Sequence, residues 1–161
     1  MSEYDILLGM TTKKVIAAFT IDGIAGRSCL SGVFDFVNAG HDWNIQFMQN
    51  PNGLTPQFIR KAVRDGVDGI ITGFRERTDG LTELENSILP VVFTDYPKNE
   101  MPRTGRNNFL IRNDDIDIGR EGARYLRSRG TFQSYAFIPT QTPTRWSTGR
   151  YSVPSCRDDA S

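Results

Sequence analysis

Residues 13–40 read KKVIAAFTIDGIAGRSCLSGVFDFVNAG, and this stretch indicates the fold class of the chain. It opens with a continuous apolar run, Val15 to Phe19, which predicts a strand buried on both faces. Apolar side chains then recur at helical spacing until Gly40 ends the pattern: Leu30, Val33, Phe34 and Val37. The stretch therefore predicts a strand followed by a helix, which is one βα unit.

The same alternation continues along the chain. Further apolar runs predict strands at residues 43–48, 67–71, 90–93, 108–111 and 134–138. Thr55 and Pro56 supply the N-cap and first position of a helix that stops at Gly66. A weaker helical stretch surrounds Leu81, Leu84 and Ile88. Strands that alternate with helices in this way predict an α/β fold, in which an open parallel sheet forms the middle of a three-layer αβα arrangement.

The last predicted helix begins at Asp114 or Asp115 and stops at Gly130. Its spacing predicts an inner face made of Ile116, Gly119, Ala123 and Leu126. Asp114, Asp115 and Asp117 resemble a metal cluster, but acids are favoured in a first helical turn by the helix dipole, so we interpret them as capping residues. No metal or other cofactor is expected.

Length and composition limit the classes of protein to which the chain can belong. Its 161 residues allow one full domain, or one domain and part of another. A formal net charge of zero and 24% charged residues give no basic patch for nucleic acid. No apolar segment has the length of a membrane span or the form of a signal peptide, so we expect a cytoplasmic protein. Cys29 and Cys156 fit a reducing compartment.

Polar residues follow the predicted strands where a parallel sheet binds ligands, at the carboxyl ends. They include Thr20 and Asp22 after the first strand, Phe74 after the third and Asp95 after the fourth. Hydroxyls, amides and carboxylates around an aromatic ring suit a small polyhydroxylated ligand. The alternative is that these are ordinary turn residues, since Asp, Asn, Thr and Gly are common in any loop.

Motifs for other chemistries are absent from the sequence. GIAGRSCLSG lacks the third glycine of a dinucleotide fingerprint, and no phosphate-binding GxxxxGK[ST] loop occurs. His41 is the single histidine and has no nucleophile or second histidine close to it in the sequence, so we interpret it as a loop residue.

Six segments together resemble one family in their order and spacing. They are KKVIAAFTIDGIAGRSCLSGVFDFVNAG, AVRDGVDGIITGF, LPVVFTDYP, FLIRNDDIDIGREGARYLRSRG, SYAFIP and RWSTGR, and they span residues 13 to 150. The set resembles the effector domain of the lactose and galactose repressor (LacI/GalR) family, with most similarity to regulators of xylose operons that carry an AraC-type DNA-binding region. The resemblance implies a periplasmic-binding-protein-like fold, in which two α/β lobes hold a sugar between them.

Carried over by position, the resemblance implies an N-terminal extension at 1–12, a first lobe at 13–112, the start of a second lobe at 113–150 and a tail at 151–161 that lies outside the family pattern. It implies that Thr20, Asp22 and Asp95 face the ligand, and that Arg150 donates to ligand hydroxyls or a carboxylate. Trp146 is implied as a stacking face. The expected partners are a sugar effector such as a pentose and a second copy of the chain, as a homodimer or a domain-swapped dimer.

The sequence departs from the family after Arg150, where YSVPSCRDDAS replaces an amphipathic helix. We interpret the chain as a truncated or altered product of a longer regulator whose DNA-binding region lies outside it. The expected function is non-enzymatic sugar sensing. The alternative is a small sugar-modifying α/β enzyme with Asp22 or Asp95 as its general base.

Overall fold

The computed structural model describes residues 12–73, 78–94, 107–141 and 145–151, with the side chains of 145 and 146 outside the description. The chain divides into two compact units, Met1–Arg112 and Asn113–Ser161. Among the described helices, none combines the length and apolar character needed to cross a membrane.

Unit 1 is built on a five-stranded parallel sheet. Its strands are β1 (Lys13–Ala18), β2 (Trp43–Met48), β3 (Gly69–Thr72), β4 (Val91–Thr94) and β5 (Asn108–Ile111). Their order across the sheet is β2-β1-β3-β4-β5, and every neighbouring pair is parallel. The open parallel sheet predicted from the alternating pattern is confirmed.

Three helices of unit 1 connect the strands: α1 (Ile24–Asn38), α2 (Pro56–Arg64) and α3 (Asp79–Glu85). The predicted cap of α2 is confirmed, because the Thr55 hydroxyl accepts a hydrogen bond of 3.2 Å from the backbone N–H of Phe58. Thr78 caps α3 in the same way through the N–H of Leu81. Gly40 and Gly66 follow α1 and α2 with positive φ, as the sequence predicts for residues that end helices.

Helices cover both faces of the sheet. On one face, Val33 of α1 packs with Ala17 and Phe19. On the other face, α2 and α3 pack on the larger cluster, which includes Ile16, Ala18, Leu54, Ile59, Ile70, Leu81, Leu84, Val91 and Phe93. The central strand β1 is buried on both faces because its side chains pack into both clusters, whereas the edge strands β2 and β5 are partly exposed.

The other described helices belong to unit 2, α4 (Asp115–Ser128) and α5 (Arg145–Tyr151). Asp114 caps α4, since its side chain accepts a 3.0 Å hydrogen bond from the backbone N–H of Asp117. This settles which of the two aspartates is the cap. The helix α5 covers RWSTGRY, for which the sequence pattern gave no helix.

The strand predicted at 134–138 is wrong, because these residues have no regular secondary structure. A strand is defined by the hydrogen bonds that it makes with a neighbouring strand, and no described residue pairs with this segment.

The inner face predicted for α4 is wrong in part, because it too lacks a neighbouring sheet among the described residues. Ile116 and Leu126 are each 48% exposed, because no sheet lies against them among the described residues.

Two apolar residues of unit 1 are also exposed against expectation. Ile88 lies beyond the end of α3 and is 73% exposed, because the Ser87 hydroxyl accepts from the N–H of Leu89 and the turn directs Leu89 into the core instead. Phe34 of α1 is 43% exposed, since Val33 takes the buried position of that helical turn.

Candidate functional site

The strand order of unit 1 locates a candidate binding site. From β1 the chain moves to β2 on one side, then returns to β3 on the other side and continues to β4 and β5. The direction of winding therefore reverses between β1 and β3. In open parallel sheets, ligands bind at this reversal, in the crevice outside the carboxyl ends of the strands. The loops after β1 and β3 are thus the candidate binding loops.

The loop after β1 carries Thr20 and Asp22, two of the predicted site residues. Thr20 is half-buried and Asp22 is exposed. The guanidinium of Arg27 donates to the backbone carbonyl of Ile21 at 2.9 Å and to that of Asp22 at 3.3 Å. Arg27 therefore fixes the backbone of this loop, and the side chain of Asp22 projects from a loop with a defined conformation.

The same loop lies directly against α1. A β-carbon at Gly26 would overlap the carbonyl oxygen of Thr20 and would lie 3.0 Å from its carbonyl carbon. Gly23 is the N-cap residue of α1. Because glycine has no side chain, no side chain of the cap residue bonds the first-turn N–H groups of this helix. The first-turn N–H groups of α1 and the polar side chains of the loop are therefore presented at one strand end, which suits a ligand rich in oxygen atoms.

The ends of β3 and β4 are tied to each other. The hydroxyl of Thr94 donates to the carbonyl of Thr72 at 3.5 Å, and a β-carbon at Gly73 would lie 3.0 Å from that hydroxyl oxygen. Thr72 itself is fully buried on the core side.

Of the polar residues after the strands, Asn50 caps the short 3₁₀ turn Pro51–Gly53 by accepting from the N–H of Asn52. Phe74 and Asp95 lie outside the described residues.

In unit 2, the predicted site residue Arg150 forms an ion pair. Its Nε lies 3.3 Å from Oδ1 of Asp115, whose side chain is 5% exposed, while the side chain of Arg150 is 32% exposed. Close packing supports the pair, because a β-carbon at Gly149 would lie 2.9 Å from the Cβ of Asp115. The buried hydroxyl of Ser147 accepts from the N–H of Thr140 at 3.2 Å. Through Asp115, the start of α4 thus contacts Gly149 and Arg150 of α5.

The predicted site residues are therefore placed as follows. Thr20 and Asp22 share one loop of unit 1, Arg150 belongs to unit 2, and the side chain of Trp146 lies outside the description, as do Phe74 and Asp95. Their common contact with one ligand stays a prediction.

Sequence reasoning missed two residues that organise these positions, Arg27 and Asp115. Arg27 donates hydrogen bonds to backbone carbonyls. Every residue has such a carbonyl, so the sequence gives no sign of these contacts. Asp115 stands in an acidic first turn that capping explains equally well. Its partner is 35 residues away, so no local signal distinguishes it from Asp114.

The charged groups of the described residues offer no metal site. No group of three or more His, Cys, Asp or Glu side chains in the described ranges is arranged to hold an ion. Asp117 pairs with Arg120 at 2.6 Å within α4. His41 stacks on Phe36, with ring centroids 3.7 Å apart and an interplanar angle of 3°.

A cavity of about 230 Å³ lies on the side of the sheet covered by α2, between that helix and the edge strand β2. Its walls include Lys14, Gln46, Phe58, Lys61 and Asp65. A hydrogen bond from Lys61 holds the pKa of Asp65 below its ordinary value, and Lys14 Nζ donates to the Asp65 carbonyl at 3.2 Å. The cavity follows the amino-terminal half of β1, so it is separate from the loops at the carboxyl ends.

Comparison with known proteins gives matches in structure and none in sequence. No protein-family model matches the chain, and no curated protein matches it significantly in sequence.

Solved structures match over most of the chain. A protein from Mycobacterium smegmatis in complex with β-D-fucofuranose matches with a TM-score of 0.60, 18% identity and coverage of 88% of this chain and 49% of its own. The transcription regulator GntR from Chromobacterium violaceum matches with a TM-score of 0.57, 17% identity and coverage of 86% and 51%. The complex of the transcriptional regulator CelR with cellobiose matches with a TM-score of 0.54, 14% identity and coverage of 91% and 47%.

The chain spans about half the length of these solved proteins. At such low identity the likeness shows the fold alone, and that fold is the periplasmic-binding-protein-like α/β architecture. The predicted fold class is confirmed.

Proposed function

We propose that the chain is the sugar-sensing part of a transcription regulator of the lactose and galactose repressor type. It binds a small neutral sugar, with pentoses such as xylose as the first candidates, and catalyses no reaction. The bound sugar changes the activity of a DNA-binding region that lies outside this chain. An AraC-type region is the candidate from the sequence resemblance.

The observation that carries the proposal is the loop Thr20–Asp22 at the reversal of strand order. It combines a hydroxyl, a carboxylate and the N-terminal end of α1, and Arg27 holds its backbone at 2.9 Å and 3.3 Å. A sugar hydroxyl both donates and accepts hydrogen bonds, so a carboxylate and backbone N–H groups in one place match its needs. Two of the solved proteins with this fold are complexes with fucofuranose and with cellobiose, which supports a sugar as ligand.

The roles of individual residues follow from this proposal. Asp22 accepts hydrogen bonds from sugar hydroxyls, and Asp95 does the same from the end of β4. Phe74 and Trp146 cover the C–H faces of the sugar ring. Arg150 donates to ligand hydroxyls, and 32% of its side-chain surface is exposed.

A homodimer or domain-swapped dimer is the proposed assembly. Aromatic side chains on α1 and β2 support it, because Phe34, Phe36 and Phe47 are 43%, 39% and 38% exposed. Phe36 also stacks on His41 and lies 4.6 Å from the ring of Trp43, so this group of rings is already ordered. Exposed ordered aromatic surface is typical of protein interfaces.

Titration calorimetry with a panel of neutral pentoses and hexoses tests the proposal, and product analysis of the same mixtures tests for turnover. We expect binding without conversion of the sugar. Asp22→Ala is expected to lower affinity by about tenfold to a hundredfold, because a hydrogen bond to a charged group contributes about 1.5–3 kcal/mol. Asp35→Asn, an exposed acid of α1, is the control and should bind as the unaltered chain does. Conversion of any sugar would support the enzyme alternative and contradict the sensor.

A further inference from the structure

A buried carboxylate lies behind the arginine that the proposed function assigns to ligand binding. Asp115 is 5% exposed at its side chain and contacts Nε of Arg150 at 3.3 Å through Oδ1. The Arg150 side chain keeps 32% of its surface exposed. The carboxylate of Asp115 is thus buried, and the side chain of Arg150 that contacts it is partly exposed to solvent.

The surrounding structure fixes the acid in this position. Asp115 is the first residue of α4, where the positive end of the helix dipole favours a carboxylate, and Asp114 caps the same helix. Gly149 lies against the Asp115 side chain with no room for a β-carbon, which would be 2.9 Å from the Asp115 Cβ. The helix start and the glycine contact therefore both favour this position of the carboxylate.

This arrangement changes what Arg150 can select. An isolated guanidinium favours an anion, such as a carboxylate or a phosphate, because the full positive charge is available. Paired with a buried carboxylate, it presents N–H donors with little net charge, and an anionic ligand would also be repelled by Asp115. A neutral hydroxyl accepts a hydrogen bond from the same donors and meets no such repulsion.

We propose that Asp115 is a specificity-determining positioning residue, which makes the Arg150 site select neutral sugars over sugar acids and sugar phosphates. This inference rests on the proposed function. It assigns to Asp115 a role that goes beyond joining α4 to α5, because the charge of Asp115, and not only its shape, sets the ligand class.

Calorimetric titration with matched sugars tests it. D-xylose and D-galactose are the neutral probes, and D-glucuronate and D-galacturonate are the anionic probes on the same ring frameworks. We expect the unaltered chain to bind a neutral probe more tightly than its anionic counterpart. Asp115→Asn keeps the size and an acceptor for Arg150 but removes the charge, and it should shift the affinity ratio toward the anion by about tenfold.

Two further variants separate charge from structure. Asp117→Asn is the matched control, because Asp117 occupies the same helical turn and pairs with Arg120 instead; its affinity ratio should equal that of the unaltered chain. Asp115→Asn combined with Arg150→Gln should lose the shift, since the anion no longer has a cation to reach.

The outcomes are distinct. Equal loss of affinity for both probe classes in Asp115→Asn, with no change of ratio, would show a structural role only and overturn the inference. If the unaltered chain binds neither class, the proposed function fails and the inference with it. If Asp115→Asn does not fold, the salt dependence of glucuronate binding by the unaltered chain decides: a flat dependence supports a charge-compensated arginine, and a steep one contradicts it.

Discussion

Gly26 lies so close to Thr20 that a β-carbon on the glycine would overlap the Thr20 carbonyl oxygen. The contact presses the first turns of α1 against the backbone of the loop that carries Asp22. It sets the distance between the helix and the candidate site, because the carbonyl belongs to the backbone and cannot rotate away as a side-chain end would.

Gly26→Ala should therefore destabilise the chain by about 1–3 kcal/mol, the usual cost of overpacking. Gly32→Ala is the matched control in the same helix, with no atom within 4 Å of the added carbon. That change should stabilise by about 0.5–1 kcal/mol, since alanine is a better helix former than glycine. Urea unfolding of both variants measures the difference, and equal effects would show that the close approach is absent.

Arg27→Met should weaken sugar binding and change the thermal stability little. The methionine replaces the aliphatic part of the exposed side chain but loses the two hydrogen bonds to the carbonyls of Ile21 and Asp22. We expect affinity to fall by about three- to tenfold, equivalent to about one ordinary hydrogen bond. Arg64→Met, an exposed arginine of α2, is the control for calorimetry. Similar losses in both variants would contradict a role for Arg27 in positioning the loop.

Thr72→Val should raise the free energy of unfolding by about 1 kcal/mol. The Thr72 hydroxyl oxygen is fully buried and has no hydrogen-bond partner among the described residues, so a methyl group of the same shape removes a desolvated polar atom. Thr94→Val serves as comparison, because its hydroxyl bonds the Thr72 carbonyl at 3.5 Å and its loss should give no gain. A less stable Thr72→Val would indicate a partner for the hydroxyl.

Asp68 should make stability depend on pH in the acidic range. The backbone N–H of Lys14, at 2.8 Å, and the ammonium of Lys13, at 3.0 Å, hold the pKa of Asp68 below its ordinary value of 3.8. A carboxylate with a lowered pKa in the folded chain stabilises it above the ordinary value, and this contribution is lost as the pH falls below 3.8 through the folded-state pKa.

Unfolding of the unaltered chain and of Asp68→Asn between neutral and acidic pH measures this contribution. The stability difference between the two should be largest at neutral pH and should shrink below pH 3.8. Asp35→Asn, which removes an exposed acid of α1 instead, is the control. A difference that persists undiminished at the acidic end would contradict the role of the Asp68 charge.

Most of unit 1 could be predicted from the sequence, because its elements are set by local patterns. The run from Trp43 to Met48 and the run from Asn108 to Ile111 became strands with the predicted bounds. The Thr55 cap needs only its own side chain and an N–H three residues later, so short-range chemistry was sufficient. Residues 134–138 have the same apolar character and still form no strand, because a strand also needs a neighbour to bond.

The candidate site depended on contacts between distant residues. The sequence by itself determined that strands and helices alternate, that the sheet is parallel, and that polar side chains follow the strands, since periodicity and turn chemistry are local properties. Only the tertiary structure decided that the winding reverses between β1 and β3, that Arg27 holds the loop of Asp22, and that Asp115 contacts Arg150. Those relationships arise from packing, which for Asp115 and Arg150 brings together groups that are 35 residues apart in the chain.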